Sequence, residues 1–408
     1  MTTRFVSFVT LTAMVLLLVA SVPANAQRQL VPLLTDHTPL NLSNHFGEAG
    51  VTAINQAGDY AFQGLGSSAL FLRRVGSSAP VRVWQMTDEV PGYPGSRSDL
   101  VINLKLNNSG LLAFHIDFAL ESGRYTAIIF TFDGTAYKKV VCGLDVAPDT
   151  GGKIFERGLG LVGMNDAGDV AFTAPLQPVY ATTPAPTALF IAQHDGALVR
   201  IAGVSDSAPD TNGGSLTSLS ALSLNNQGEV LFGSSISGGN GGYGLFVASA
   251  VGGVRKVVAN GDSKPGGGSF ALTSAITGLL NNSGSVAFLA GSGIFVNAVG
   301  SGTSAVVVGG SLAPTGGSFG TPLAPAALND AGEIAFIAPV NGTSVTNRGL
   351  FRYRPGNTIE TVVYTTQVDS ATGNYFTTPF SVLPIVRKRI FLNTRRSAAF
   401  FDLSSAVE

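Results

Sequence analysis

Five aspartates stand three residues before a proline, and this is the most suggestive carboxylate pattern in the chain. They are Asp36, Asp88, Asp145, Asp206 and Asp262. A side chain at this spacing can cap its own turn just before a proline that restricts φ. We favour this interpretation, because a motif that recurs throughout a chain usually serves the repeat itself.

The alternative is a partial ring of carboxylates around the mouth of a central channel. Such a ring would suit Ca²⁺, which takes several oxygen ligands together, or a glycan rich in hydroxyl groups. No segment shows the dense D-x-D-x-D-G spacing of a calcium loop. No cofactor is therefore identified from the sequence, and Ca²⁺ is retained only as the alternative for these five loops.

Other residue types that do chemistry lack the required context. Ser318 in "GGSFG" matches G-x-S-x-G, but it lies between repeats, where no strand-to-helix turn is expected. No histidine has the H-E-x-x-H spacing, and His115 is expected on a strand surface. The single cysteine, Cys142, is expected to be buried. No catalytic residue is predicted, and a non-enzyme is favoured.

The elements that must position these residues are defined by a repeat, Asn-x-x-Gly-x-x-x-Phe, which occurs six times at intervals of 48 to 60 residues. A period of this length is typical of a propeller or another repeat array. The Asn and Gly pairs are Asn55 and Gly58, Asn107 and Gly110, Asn165 and Gly168, Asn225 and Gly228, Asn281 and Gly284, and Asn329 and Gly332.

Each copy predicts a tight turn between two strands. Asn favours the first position of a type I turn, where its side chain bonds the backbone ahead, and Gly three residues later accepts φ > 0. The alternating apolar residues after each Gly predict the next strand. These Asn and Gly residues are therefore interpreted as structural.

Two further apolar segments follow each turn, so each repeat contains four short strands, which is the composition of a propeller blade. A degraded seventh copy surrounds Pro384 and Phe391 and lacks a fourth strand, while residues 28–39 resemble a fourth strand. We expect an all-β, seven-bladed β-propeller, closed by the N-terminal strand completing the last blade and thereby removing exposed sheet edges. A six-bladed propeller is the alternative.

The first 26 residues have the features of a signal peptide. Arg4 precedes an apolar stretch, and Ala24-Asn25-Ala26 is a small-x-small cleavage site. Residues 27–408 are then expected to form one propeller domain that is secreted, extracellular or periplasmic, with no membrane span after cleavage. The net charge of −1 gives no reason to expect a nucleic-acid partner.

The phrase "LNDAGEIAF" and its five companions resemble bacterial exported proteins defined by an NxxGxxF tandem repeat, many of which carry a C-terminal surface anchor. The resemblance implies a propeller-like exported protein and brings no catalytic residues. We therefore expect a non-catalytic binding or scaffold protein whose partner is an extracellular protein or glycan. An extracellular polysaccharide hydrolase or lyase on the same scaffold is the alternative.

Overall fold

The chain folds into β-sheets that are almost entirely antiparallel. The computed structural model describes residues 14–16, 31–34, 49–64, 69–177, 186–322, 324–342, 347–364, 381–383, 389–394 and 397–402. Within these ranges the chain forms 32 strands in seven sheets and no helix, which confirms the all-β prediction. In the same ranges no helix has the length and apolar character needed to cross a membrane.

The first half of the chain supplies two N-terminal strands and then three complete sheets. The N-terminal strands are β1 (Met14–Leu16) and β2 (Val31–Leu34). Sheet 1 contains β3 (Ala49–Ile54), β4 (Tyr60–Gly64), β5 (Ala69–Arg73) and β6 (Val81–Gln85). Sheet 2 contains β7 (Arg97–Leu106), β8 (Leu112–Ala119), β9 (Tyr125–Phe132) and β10 (Tyr137–Cys142). Sheet 3 contains β11 (Ile154–Phe155), β12 (Gly160–Met164), β13 (Val170–Gln177), β14 (Thr187–Ala192) and β15 (Leu198–Gly203).

Three further sheets repeat this order. Sheet 4 contains β16 (Ser215–Leu216), β17 (Ser220–Leu224), β18 (Glu229–Ser237), β19 (Gly242–Ser249) and β20 (Gly253–Ala259). Sheet 5 contains β21 (Gly278–Leu280), β22 (Val286–Ala290), β23 (Gly293–Ala298) and β24 (Gly302–Val308). Sheet 6 contains β25 (Ser318–Phe319), β26 (Ala324–Leu328), β27 (Ile334–Asn341), β28 (Asn347–Arg354) and β29 (Thr358–Tyr364).

Sheet 7 joins the two ends of the chain, with a difference from the sequence prediction. It contains β30 (Ser381–Leu383), β31 (Arg389–Thr394) and β32 (Ser397–Asp402), together with β1 and β2. The predicted closing strand, β2, is in this sheet but does not pair with β32. Strand β1, from the predicted signal peptide, lies between them and runs parallel to β32. This is the one parallel pairing among the strands described.

The repeat phenylalanines form a cross-strand pair in each of sheets 1 to 6. The Phe that ends the repeat phrase lies directly opposite the Phe of the following strand, with ring centroids 5.4 to 6.0 Å apart. The pairs are Phe62–Phe71, Phe114–Phe130, Phe172–Phe190, Phe232–Phe246, Phe288–Phe295 and Phe336–Phe351. All of these side chains are buried. Since paired aromatic rings bury large apolar areas, each pair anchors its sheet in the core.

The hydrophobic core is divided among the interfaces between successive sheets. Each of five clusters takes residues from two neighbouring sheets, from sheets 1 and 2 through to sheets 5 and 6. The strands that precede the repeat Asn residues also contact their counterparts in the next sheet: β3 contacts β7, β12 contacts β7 and β17, and β21 contacts β17 and β26. The sheets therefore pack face to face in chain order, with these strands along a shared inner edge.

Candidate functional site

The Asn-x-x-Gly turns have the same geometry in every described copy. At Asn281 the backbone carbonyl accepts a hydrogen bond from Gly284 N–H at 3.2 Å, and the side-chain Oδ1 accepts one from Ser285 N–H at 2.8 Å. The six glycines all adopt a positive φ: Gly58 91°, Gly110 84°, Gly168 93°, Gly228 71°, Gly284 77° and Gly332 79°. A residue with a Cβ would be strained at these positions. The turn itself thus accounts for both repeated residues.

The same asparagines also connect neighbouring sheets. The Nδ2 of Asn55 donates to the carbonyl of Asn107 at 3.1 Å, and Asn281 donates to the carbonyl of Asn329 at 2.9 Å. The next residue of each turn adds a second link, because its backbone N–H donates to a side-chain oxygen one repeat further along. These links run from Gln56 through Asn108, Asp166, Asn226 and Asn282 to Asp330, at 2.8 to 3.1 Å. The turns therefore form a continuous polar belt across sheets 1 to 6.

Acidic residues four positions after Asn attach the neighbouring turn of the same sheet. Asp59 accepts hydrogen bonds from Val75 N–H at 2.8 Å and from Arg74 Nη1 at 3.1 Å. Burial acts to raise the pKa of Asp59, but these bonds and the Asn55 amide outweigh it and hold that pKa below its ordinary value. The Asp59 carboxylate is therefore engaged within the fold.

The described Asp-x-x-Pro carboxylates accept hydrogen bonds within their own loops. Asp88, Asp145, Asp206 and Asp262 each accept a hydrogen bond at 2.7 to 2.8 Å from the backbone N–H three residues earlier. In three of them the other oxygen binds a basic side chain six residues earlier, namely Lys139, Arg200 or Lys256, at 2.7 to 2.9 Å. Asp36 lies outside the described residues. The geometry is that of turn caps, with each of these four carboxylates accepting a hydrogen bond within its own loop.

The remaining sequence candidates also have structural surroundings. Cys142 is buried, and Ser318 lies in the short strand β25 rather than in a strand-to-helix turn. The single tryptophan, Trp84, is likewise buried; it stacks on Phe130 and donates from Nε1 to Ser98 Oγ at 3.2 Å. Within the described residues, no three His, Cys, Asp or Glu side chains are grouped as metal ligands.

One face of sheet 2 departs from the repeat. Lys105, His115 and Asp117 occupy positions two before, eight after and ten after the repeat Asn. The cross-strand partners are Ala113 for Lys105, Ile129 for His115 and Ala127 for Asp117. These three apolar partners belong to the cluster between sheets 2 and 3. Because paired residues share a face, all three ionisable side chains lie on the side of sheet 2 that faces sheet 3.

The other repeats carry no ionisable residue at the corresponding described positions. Two before Asn they have Ala53, Gly163, Ser223, Leu279 and Ala327, and eight after Asn they have Gln63, Thr173, Gly233, Leu289 and Ile337. Ten after Asn the described copies are Pro175, Ser235, Gly291 and Pro339. We call Lys105, His115 and Asp117 the sheet 2 polar strip. Burying ionisable groups is costly, so this departure calls for an explanation other than the repeat.

The side chains of His115 and Lys105 form few hydrogen bonds or ion pairs with the protein around them. His115 is only 3% exposed, and neither ring nitrogen has a well-directed hydrogen bond, although Nε2 lies 3.3 Å from Asp117 Oδ1. Lys105 is half-buried, and its ammonium group has no hydrogen bond or ion pair with the described residues. Burial lowers the pKa of Lys105, and no nearby carboxylate opposes that effect.

Two more exposed residues, Arg157 and Tyr125, lie at the end of the strip that is marked by Asp117. Arg157, from the segment between β11 and β12, places Nη2 3.4 Å from Asp117 Oδ2 and its guanidinium 5.0 Å from the centre of the Tyr125 ring. The side chain of Arg157 is 54% exposed, whereas that of Asp117 is 18% exposed. The contacts with His115 and Arg157 hold the pKa of Asp117 below its ordinary value against the opposing effect of burial. We call Tyr125 and Arg157 the rim pair.

Sequence reasoning missed this site because it weighed His115 alone and did not consider Lys105 or Asp117. His115 was expected on a strand surface and is instead buried, since its face of β8 packs against sheet 3. Aligning the repeats on their Asn residues would have shown the three ionisable exceptions in one copy. Their common face follows only from the register.

The sequence profile of a family of unknown function, DUF7453, matches residues 53–292 and 290–404. No curated protein sequence matches the chain significantly. Among solved structures, a streptogramin B lyase is similar with a TM-score of 0.38 and 13% identity, over 88% of this chain and 94% of that one. An α-L-arabinanase from Penicillium chrysogenum gives 0.34 and 12%, over 71% and 88%. A puromycin hydrolase gives 0.47 and 13%, over 94% of this chain and 57% of that chain.

Proposed function

The chain belongs to the DUF7453 family, and we propose that it is an exported seven-bladed β-propeller that binds an extracellular ligand. Seven sheets in chain order, five inter-sheet cores and the polar belt of turns support the ring. A ring of packed blades would make a rigid scaffold on which loops could present binding residues.

Removal of the signal peptide would complete the ring. Strand β1 lies within the predicted signal peptide and makes the one parallel pairing of the described strands, with β32. We propose that cleavage after Ala26 frees this position and that β2 then pairs antiparallel with β32, as fourth strands do in the other sheets. The two chain ends would then be held by main-chain hydrogen bonds in one blade.

The ligand would bind on the loop face, which consists of the inter-sheet segments and the connections between second and third strands. Four inter-sheet loops are held by short bridges, including Val146 with Ile154 and Leu312 with Ser318. Val146 and Leu312 remain exposed beside these bridges. The opposite face carries the repeated Asn turns, whose polar groups are engaged between sheets. The loop face therefore combines the segments that differ between repeats with exposed side chains held in place by these bridges.

A carbohydrate is the ligand that the rim pair suits best. Tyr125 is 46% exposed, and an aromatic ring can pack on the apolar face of a sugar. Arg157 and Asp117 supply a donor and an acceptor for hydroxyl groups beside that ring. The rim pair, placed over the interface of sheets 2 and 3, is the observation that carries this assignment.

A glycan array probed with residues 27–408 tests the proposal. We expect binding to a defined group of glycans, with a loss of at least tenfold in affinity for Tyr125→Ala or Arg157→Ala. Arg82→Ala, which changes an exposed arginine on the fourth strand of sheet 1, serves as the control and should bind normally. Binding that survives both rim substitutions would contradict a rim site, and an array with no bound glycan would reject the carbohydrate assignment.

The second candidate is a hydrolase or lyase acting on an extracellular polysaccharide. The buried His115 next to Asp117 favours it, because such a pair can exchange a proton with a bound substrate. Size analysis of a bound glycan after prolonged incubation separates the two functions. Shortened chains that depend on His115 would establish the enzyme, and unchanged chains would support binding alone.

A further inference from the structure

We propose that the sheet 2 polar strip binds a carboxylate group, so that the ligand is an acidic saccharide of the uronate class. This inference rests on the proposed carbohydrate-binding function. It adds the chemical feature that distinguishes the preferred glycan from neutral ones.

The charged side chains of the strip and rim do not balance. Lys105 and Arg157 are cationic and Asp117 is anionic, so these three side chains together carry one excess positive charge. Asp117 is already engaged by Arg157 and lies beside His115. The ammonium group of Lys105 has no such counterion among the described residues, so its charge is available to an anion from outside. An anionic ligand would supply the missing partner.

His115 has hydrogen-bonding capacity that the surrounding protein leaves unsatisfied. The residue is more than nine-tenths buried; Nδ1 has no hydrogen-bond partner among the described residues, while Nε2 lies 3.3 Å from Asp117 Oδ1. Buried polar atoms in folded proteins nearly always have a partner, so the unpartnered Nδ1 indicates that an external group completes the site. A carboxylate accepts up to four hydrogen bonds and suits a lysine beside an imidazole N–H.

Lys105 and His115 lie close together on the face of sheet 2 that packs against sheet 3. Lys105 pairs with Ala113, and His115 lies two residues further along the same strand, so the two side chains are diagonal neighbours on one face. Diagonal neighbours in an antiparallel pair are roughly 7–8 Å apart, close enough for one carboxylate to lie between long side chains. Asp117 and the rim pair continue the line towards the loop face. Tyr125 pairs with Ala119, six residues along β8 from the Ala113 that pairs with Lys105, so the backbone positions of Tyr125 and Lys105 are roughly 20 Å apart. A saccharide stacked on Tyr125 would therefore need several units to extend along the strip to Lys105.

The test compares binding of trigalacturonate and its fully methyl-esterified form to residues 27–408 by isothermal titration calorimetry. Esterification keeps the shape of the sugar and removes the negative charge. We expect the wild type to prefer the acid by at least tenfold, and Lys105→Met to abolish that preference while keeping the affinity for the ester. Lys264→Met, which removes a half-buried lysine from another inter-sheet loop, should retain the preference.

The outcomes separate the two proposals. Equal affinity of the wild type for acid and ester, or a preference that survives Lys105→Met, would overturn the carboxylate site and leave carbohydrate binding intact. Failure to bind either trisaccharide, together with binding of neutral glycans on the array, would also overturn it. Failure to bind any glycan would remove both proposals. Circular dichroism of Lys105→Met confirms that the variant is folded before it is titrated.

Discussion

Truncation of one repeat asparagine should destabilise the protein far more than truncation of an ordinary surface asparagine. In Asn281→Ala, Ser285 N–H loses its 2.8 Å bond to Oδ1, and the carbonyl of Asn329 loses its 2.9 Å bond from Nδ2. Ser283 also loses its backbone bond to Oδ1 at 3.1 Å. Asn281 is buried, so these groups are only partly re-satisfied by water.

The magnitude follows from the two strongest lost bonds. Each net hydrogen bond contributes about 1 kcal/mol, and each buried group left unsatisfied costs about 1–3 kcal/mol. We therefore expect Asn281→Ala to lower the free energy of unfolding by about 2–4 kcal/mol. Asn281→Asp keeps the Oδ1 acceptor but places a second acceptor oxygen, on a buried carboxylate, against the Asn329 carbonyl, so its effect near pH 7 should be at least as large as that of Asn281→Ala.

Urea unfolding of residues 27–408, followed by circular dichroism, measures these differences. Asn240→Ala is the matched control, because Asn240 is exposed and its side chain bonds only Asn212 among the described residues. The control should change stability by less than about 0.5 kcal/mol. If Asn281→Ala were no worse than Asn240→Ala, the assignment of the repeat asparagines to turn formation and sheet linkage would be wrong.

Three further predictions follow from other parts of the structure. Asp262→Ala removes the hydrogen bond from Ala259 N–H and the ion pair with Lys256, so it should lower the free energy of unfolding, measured in urea, by about 1–2 kcal/mol. A Ca²⁺-dependent thermal stabilisation of the wild type that disappears in this variant would instead indicate a metal site. Lys105→Met should raise the free energy of unfolding at pH 7 by about 1 kcal/mol, because it removes a half-buried uncompensated charge. Burial lowers the pKa of Lys105 in the folded state, so the unfolded state keeps the lysine proton to higher pH than the folded state does. The wild type should therefore gain stability relative to Lys105→Met between pH 7 and about 10. A constant difference in stability across that range would show that Lys105 is not desolvated. N-terminal sequencing of the exported protein should begin at Gln27, and an intact N-terminus would contradict the cleavage on which the proposed pairing of β2 with β32 depends.

The local architecture was predictable because the repeat combines a turn signal with strand periodicity. Asn281 and Gly284 show the expected carbonyl-to-N–H bond and positive φ, and the following Phe288 is buried. The fourth strands, such as β20, were also predicted from their apolar pattern. These features depend on residues close together in the sequence, which a single chain displays directly.

Features that depend on register and on distant pairing were less accessible. Strand β7 has irregularities between Ser98 and Leu100 and between Val101 and Leu104, so simple alternation along it does not give the face of Lys105. The position of β1 beside β32 depends on pairing between the two ends of the chain. The links between Asn turns were not foreseen either, because they join residues 48 to 60 positions apart.

Hydrogen–deuterium exchange of residues 27–408 with and without trigalacturonate tests the central claim, that the ligand binds over the interface of sheets 2 and 3. We expect slower exchange in peptides covering β7, β8, β9 and residues 154–158, and no change in peptides from the Asn turns of sheets 4 to 6. Slower exchange confined to the Asn turns, or to loops of other sheets, would contradict it.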